Sequence, residues 1–123
     1  MDKPEEILAK IQKLIDRNYG YKFEAYSFVL AALHYTMMPL SSPRHISGQE
    51  FCEGLRRYAL DQFGPLARTV LEYWGIHATF DFGKIVFALV EVGLMRKTDE
   101  DTLDDFRDVY EFESAFNNKM VFE

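Results

Sequence analysis

At 123 residues and 14.4 kDa, with 48% hydrophobic and 15% aromatic side chains, the chain is long enough for one domain with a substantial core, and its composition excludes intrinsic disorder. Twenty acidic against fourteen basic side chains give a net charge of −6. The imbalance sits at one end: residues 1–98 hold 12 basic and 11 acidic groups, whereas residues 99–123 hold 2 basic and 9 acidic, a segment that repels phosphate backbones and argues against a nucleic-acid partner.

The first element is a surface helix. Pro4 stands where a first-turn proline is tolerated, Glu5 and Glu6 complement the positive dipole end, and Ile7, Ile11, Leu14 and Ile15 form one stripe as far as Asn18 and Gly20. No apolar signal core precedes it, and no apolar run approaches the ~20 residues of a membrane span, so a cytoplasmic chain without a membrane segment is expected. From Lys22 to Met38 apolar residues surround the helix axis, the pattern of a helix central to a core, and Pro39 ends it. The loop PLSSPRHI follows. Ser47-Gly48-Gln49-Glu50 then matches a capping box, with Ile46 and Phe51 placed as a hydrophobic staple. This third helix buries Phe51, Leu55, Tyr58, Ala59 and Phe63 and stops at Gly64, and Pro65 opens a fourth that runs to Trp74.

Thr79 can cap a fifth helix, with Asp81 in its first turn and Phe82, Ile85, Val86, Leu89 and Val90 on its inner face up to Gly93. Beyond Gly93 the period changes. Leu94 to Lys97 is short and partly apolar, TDEDTLDD is rich in turn formers, and Phe106, Tyr110 and Phe112 recur at even spacing, which places them on one face of a strand. The expected architecture is mainly α: about five helices in one domain spanning 1–123, with N-terminal helices over 1–64, a part over 65–112 closing in a short β-hairpin, and a tail over 113–123 in which Phe116, Met120, Val121 and Phe122 dock.

Two resemblances attach to these segments. VEVGLMRKTDEDTLDDFRDVYEF is similar to the end of the recognition helix and the wing of bacterial winged-helix proteins, in which a Gly-Leu pair follows the helix and an aromatic-rich strand returns from a charged loop. That similarity covers about a third of the chain and implies a winged-helix-like C-terminal half. Over nearly its whole length the chain also resembles a small bacterial protein family through RHISGQE, YALDQFGPLARTVLEYWG, DFGKIVF and DDFRDVYEF. The family carries no assigned activity, so this second resemblance implies domain boundaries and no catalytic role.

Groove-reading chemistry is sparse. Phe80, Gly83, Lys84, Phe87, Ala88 and Glu91 fall on the outer side of the fifth helix, where only Lys84 suits the reading of base edges; Arg96, Lys97 and Arg107 could touch phosphate, but eight acidic residues between Asp99 and Glu113 surround them. An apolar outer face instead invites another chain, which makes Phe80, Lys84, Phe87 and Glu91 the candidate partner face. The alternative is that N-terminal helices cover Phe80 and Phe87 as ordinary core. Asp99, Asp101, Asp104, Asp105 and Asp108 make the hairpin acidic, a solvated surface or one that meets a basic partner. An EF-hand reading fails, because its glycine and twelfth-position acid fall on Asp104 and Tyr110.

Arg44, His45, Ser47 and Gly48 form a candidate anion site, where two cationic side chains precede free N–H groups at a helix start. The competing reading has Ser47 and Glu50 already occupying those groups, leaving Arg44 and His45 to tie the loop to acidic neighbours. His34, Cys52 and His77 are too scattered for a metal centre; His34 reads as an interior histidine and Cys52 as packed and inert. No nucleophile-base motif is present, although His34, His45, Glu50 and Glu72 are the groups from which a convergent catalytic site would be drawn. The sequence therefore points to a non-enzymatic interaction module without cofactor or metal, contacting an unknown protein partner or a second copy of itself through the aromatic outer face of the fifth helix and the acidic wing. The alternatives are a winged-helix nucleic-acid factor and a small-anion-binding domain.

Overall fold

The computed structural model describes residues 3–116 and is helical throughout its regular structure. Helix α1 spans Pro4–Asp16, α2 Phe23–Met37, α3 Gly48–Phe63, α4 Ala67–Tyr73, α5 Thr79–Glu91 and α6 Phe112–Ala115, with 3₁₀ turns at Gly64–Leu66 and Leu103–Phe106. The docking expected of Met120, Val121 and Phe122 lies outside the described residues, whereas Phe116 is buried.

Sequence punctuation sets most of the helix ends. α1 carries its first-turn proline and two glutamates, buries Ile11 and Leu14, and gives way to Asn18 and Gly20, both at positive φ. Ser47 caps α3, its Oγ accepting from Glu50 N–H at 3.0 Å. Pro65 sits in the 3₁₀ turn rather than opening the fourth helix, which starts at Ala67. Gly75, at φ +99°, ends the approach to α5 so close to Gly20 that a Cβ there would overlap its carbonyl oxygen. The Trp74 carbonyl accepts from Lys22 N–H at 3.1 Å at the same joint.

One core holds the molecule together. α2 packs against α1, α3 and α5, contributing Tyr26, Phe28 and Val29, which meet Leu14, Leu55, Leu71, Phe82, Ile85 and Leu89 in a single buried cluster. α3 approaches α2 closely because Gly54 has no side chain; a Cβ there would come within 2.8 Å of Thr36 Cβ. His34 is not interior: Glu24, Ser27, Ala31 and His34 form an exposed stripe on α2, so its apolar composition exceeds the face it buries.

Two expectations for the C-terminal half fail. Thr79 is not the cap of α5; Asp81 Oδ2 takes the amide protons of His77 and Ala78 at 2.8 and 3.2 Å, leaving Ala78 at the cap position. The buried Thr79 hydroxyl instead donates to the Phe106 carbonyl at 2.6 Å and accepts from Val109 N–H at 3.2 Å. Nor is there a strand among the described residues, so neither the β-hairpin nor the winged-helix-like half is formed. Backbone groups that a ladder would need are claimed elsewhere: Leu94 and Met95 N–H donate to the Leu89 carbonyl at 2.9 and 3.3 Å, Arg107 N–H donates to the Asp104 carbonyl at 3.0 Å, and Thr79 holds the Phe106 carbonyl and the Val109 amide. The tip between them is folded into local turns, where Asp101 Oδ2 accepts from Thr98 N–H at 2.8 Å and Asp105 Oδ2 from Thr102 N–H at 2.9 Å.

Phe106, Tyr110 and Phe112 consequently do not share a strand face. Phe106 wedges between Gly48 of α3 and Gly83 of α5, where added Cβ atoms would stand 3.0 Å from Phe106 Cε1 and 2.7 Å from its Cβ. The Tyr110 hydroxyl donates to the Cys52 carbonyl at 2.7 Å, and Phe112 meets Phe82, Tyr110 and Phe116 in an aromatic cluster. The segment after α5 is thus an irregular strap across α3 and α5.

Candidate functional site

The strap, together with the end of α2 and the start of α3, encloses a cleft of about 620 Å³, within the size range of ligand sites. Its floor is Phe51, Val86, Met95 and Phe106, all buried. Leu33 and Met37 of α2, Ile46 before α3, Phe87 of α5 and Leu94 form half-buried walls. Four of the five wall residues arrive by a rule visible locally: α2 carries Leu33 and Met37 one turn apart on one side, Ile46 is the staple residue before the Ser47 cap, and Phe87 follows Gly83 by one turn along α5.

Polar groups gather at the rim. Arg44 grips Glu50 with two parallel hydrogen bonds of 3.0 and 2.6 Å, and that guanidinium holds the Glu50 carboxyl below its ordinary range. His45 Nε2 lies 2.9 Å from Asp101 Oδ1. Burial opposes ionisation of Asp101, but the Thr98 N–H and the imidazole outweigh it and keep the carboxyl below the usual aspartate value. Lys97 Nζ stands 5.8 Å from the centroid of the Phe87 ring and donates to the Thr98 carbonyl at 3.2 Å. Arg96 is exposed on the same rim and has no carboxylate partner among the described residues.

This geometry joins two sets of residues that the sequence kept apart. Arg44, His45, Ser47 and Gly48 and the partner-face residue Phe87 all line one cleft. As an anion site, however, the first set is already satisfied from within: Glu50 neutralises Arg44, Asp101 receives His45, Ser47 Oγ is committed to Glu50 N–H, and Gly48 is buried beneath Asp105 and Phe106. The reading in which Arg44 and His45 tie the loop to acidic neighbours therefore describes the structure. An imidazole oriented by a carboxylate can serve as a base, yet no hydrogen bond joins His45 to the Ser47 hydroxyl among the described residues.

The rest of the expected partner face is dispersed. Phe80 lies under two cations, Arg107 at 4.4 Å and Lys84 at 5.4 Å from its centroid, and Glu91 pairs with Arg17. Gly83 and Ala88 are buried, with Phe106 of the strap lying over Gly83, and Phe87 is half-buried against the core in the cleft it shares with Leu33 and Met37 of α2. The acidic set also divides. Asp101 lines the cleft, Asp104 pairs with Arg107 at 2.7 Å, Asp105 caps its own turn, and Asp108 adopts a positive φ of 51°. Asp99 is exposed outside the lining.

Leu33, Met37, Phe51 and Met95 line the cleft and were not singled out by the sequence as site residues, since nothing local distinguishes them from ordinary core; Arg96 and Lys97, which the sequence offered only as phosphate contacts, stand on its rim. Cys52 is fully buried, and that burial pushes its thiol up to about 12, far from the thiolate a nucleophile or metal ligand needs. Among the described residues no three His, Cys, Asp or Glu side chains gather as a metal site, and no helix is long and apolar enough to cross a membrane. No protein-family model, curated protein or solved structure matches this chain.

Proposed function

We propose that this protein is a non-enzymatic interaction module that receives an apolar segment of a partner protein in the cleft between α2, α3, α5 and the strap. The observation that carries this reading is the cleft's make-up: an apolar floor closed by Phe51 and Phe106, half-buried aliphatic and aromatic walls, and polar groups confined to the rim. That is the anatomy of an interface core with its rim, where apolar anchors enter and charges set orientation. The rim chemistry supports binding over catalysis, since Arg44, Glu50 and Ser47 are engaged with one another and the Cys52 thiol is shut away.

The test is affinity capture from a native lysate with the intact protein and with Phe87→Asp, after circular dichroism has established that the variant is helical. A defined protein retained by the intact chain and lost by the folded variant is the expected result. Equal retention by both, or recovery of nucleic acid that disappears as salt rises, would overturn the reading.

A further inference from the structure

Resting on that reading of the cleft, we infer that its occupant is an acidic segment, in which apolar anchors are flanked by aspartate or glutamate that meets Arg96 and Lys97. The chain as a whole is acidic at −6, yet the cleft lining reverses the sign: Arg44, Arg96 and Lys97, with His45, face a single carboxylate, Asp101. Internal pairing does not remove this excess evenly. Arg44 is consumed by Glu50 and His45 by Asp101, whereas Arg96 and Lys97 project from consecutive positions with no acid from the described residues against either. The nearest acidic residues in sequence, Asp99 and Glu100, are exposed and outside the lining. A partner carboxylate at this edge gains two charge-assisted contacts, while a basic partner meets like charge.

The apolar interior, walls and floor together, and the rim have separate tasks. Phe87 and Met95 offer apolar area to any hydrophobic anchor and supply affinity without sign preference. Arg96 and Lys97 supply the preference. Rim charges act mainly on the association rate and on its salt dependence. Lys97 also lies over Phe87, so a carboxylate that draws its ammonium aside uncovers the ring for the anchor.

A random displayed peptide library selected on the full-length protein tests this, with counter-selection on Phe87→Asp and re-selection on the double variant Arg96→Glu/Lys97→Glu. Phe87→Ala stands in if the aspartate variant fails to fold; the rim positions are exposed and their variants retain the core. The expected outcome is enrichment of peptides combining aromatic or aliphatic anchors with acidic flanks. Their affinity should fall about fivefold in the double variant, in keeping with two exposed rim pairs, and should weaken with salt only in the intact protein. Neutral or basic peptides that still depend on Phe87 would overturn the acidic occupant and leave the interaction cleft standing. Failure to enrich any Phe87-dependent peptide would overturn both, as would self-association of the chain abolished by the Phe87 variant, which would place a second copy in the cleft.

Discussion

Thr79 shows how much a single hydroxyl can carry. Among the described residues it is the one threonine, serine, amide or charged side chain that is buried, and it ties α5 to the strap through Phe106 and Val109. Thr79→Val keeps the shape but leaves the Phe106 carbonyl and the Val109 amide without their partner, a loss of about 1–3 kcal/mol for a buried unsatisfied group. A lower urea midpoint with an unchanged slope checks this, and an unchanged midpoint contradicts it. Glu53 gives the corresponding prediction in pH. Hydrogen bonds from Arg56 bring its carboxyl to about 2 against an ordinary 4.5, with burial opposing and Arg57 assisting. A carboxyl lowered on folding stabilises above its unfolded value and loses that contribution as pH falls from 4.5 towards 2. The acid limb of the stability curve should therefore be shallower in Glu53→Gln, measured as denaturation midpoint against pH.

At the scale of elements, two glycines determine how closely helices and strap approach. Gly83→Ala should gain about 1 kcal/mol of helix propensity. It should nevertheless lower stability by about 1–3 kcal/mol net, because the new methyl has to displace Phe106. A melting temperature above that of the parent would show that the strap yields freely. These helices were legible in the sequence because their signals are local: Pro4 with Glu5 and Glu6, the Ser47 box, and the glycines at 64, 75 and 93. The strap was not. Even spacing of Phe106, Tyr110 and Phe112 is the signature of a strand face, but a ribbon also needs unclaimed backbone groups on both sides, and here the Leu94 and Met95 amides go to the Leu89 carbonyl while Thr79 claims the Phe106 carbonyl and the Val109 amide. Thr79 misled for a related reason: threonine suits a cap, yet Asp81 reaches the two preceding amides and frees the hydroxyl for a distant carbonyl.

For the whole molecule, the cleft follows from the way the strap lies. Had residues 94–112 formed a hairpin, Phe106 would not fill the slot between Gly48 and Gly83, and the loop bearing Arg44 and His45 would lack the Asp101 contact that holds it beside Phe87. Phe87 and the Arg44–Gly48 stretch, which the sequence offered as two separate candidates, line one cleft, and their juxtaposition was not legible because it depends on tertiary packing. The most direct measurement places a photo-crosslinking side chain at Lys97 on the cleft rim and, separately, at Tyr73, which is 71% exposed and outside the cleft. After illumination in cells and mass spectrometry, the account predicts a defined adduct from position 97, joined to an acidic, apolar segment of another protein, and none of that species from position 73. The same adducts from both positions, or none from position 97, would contradict it.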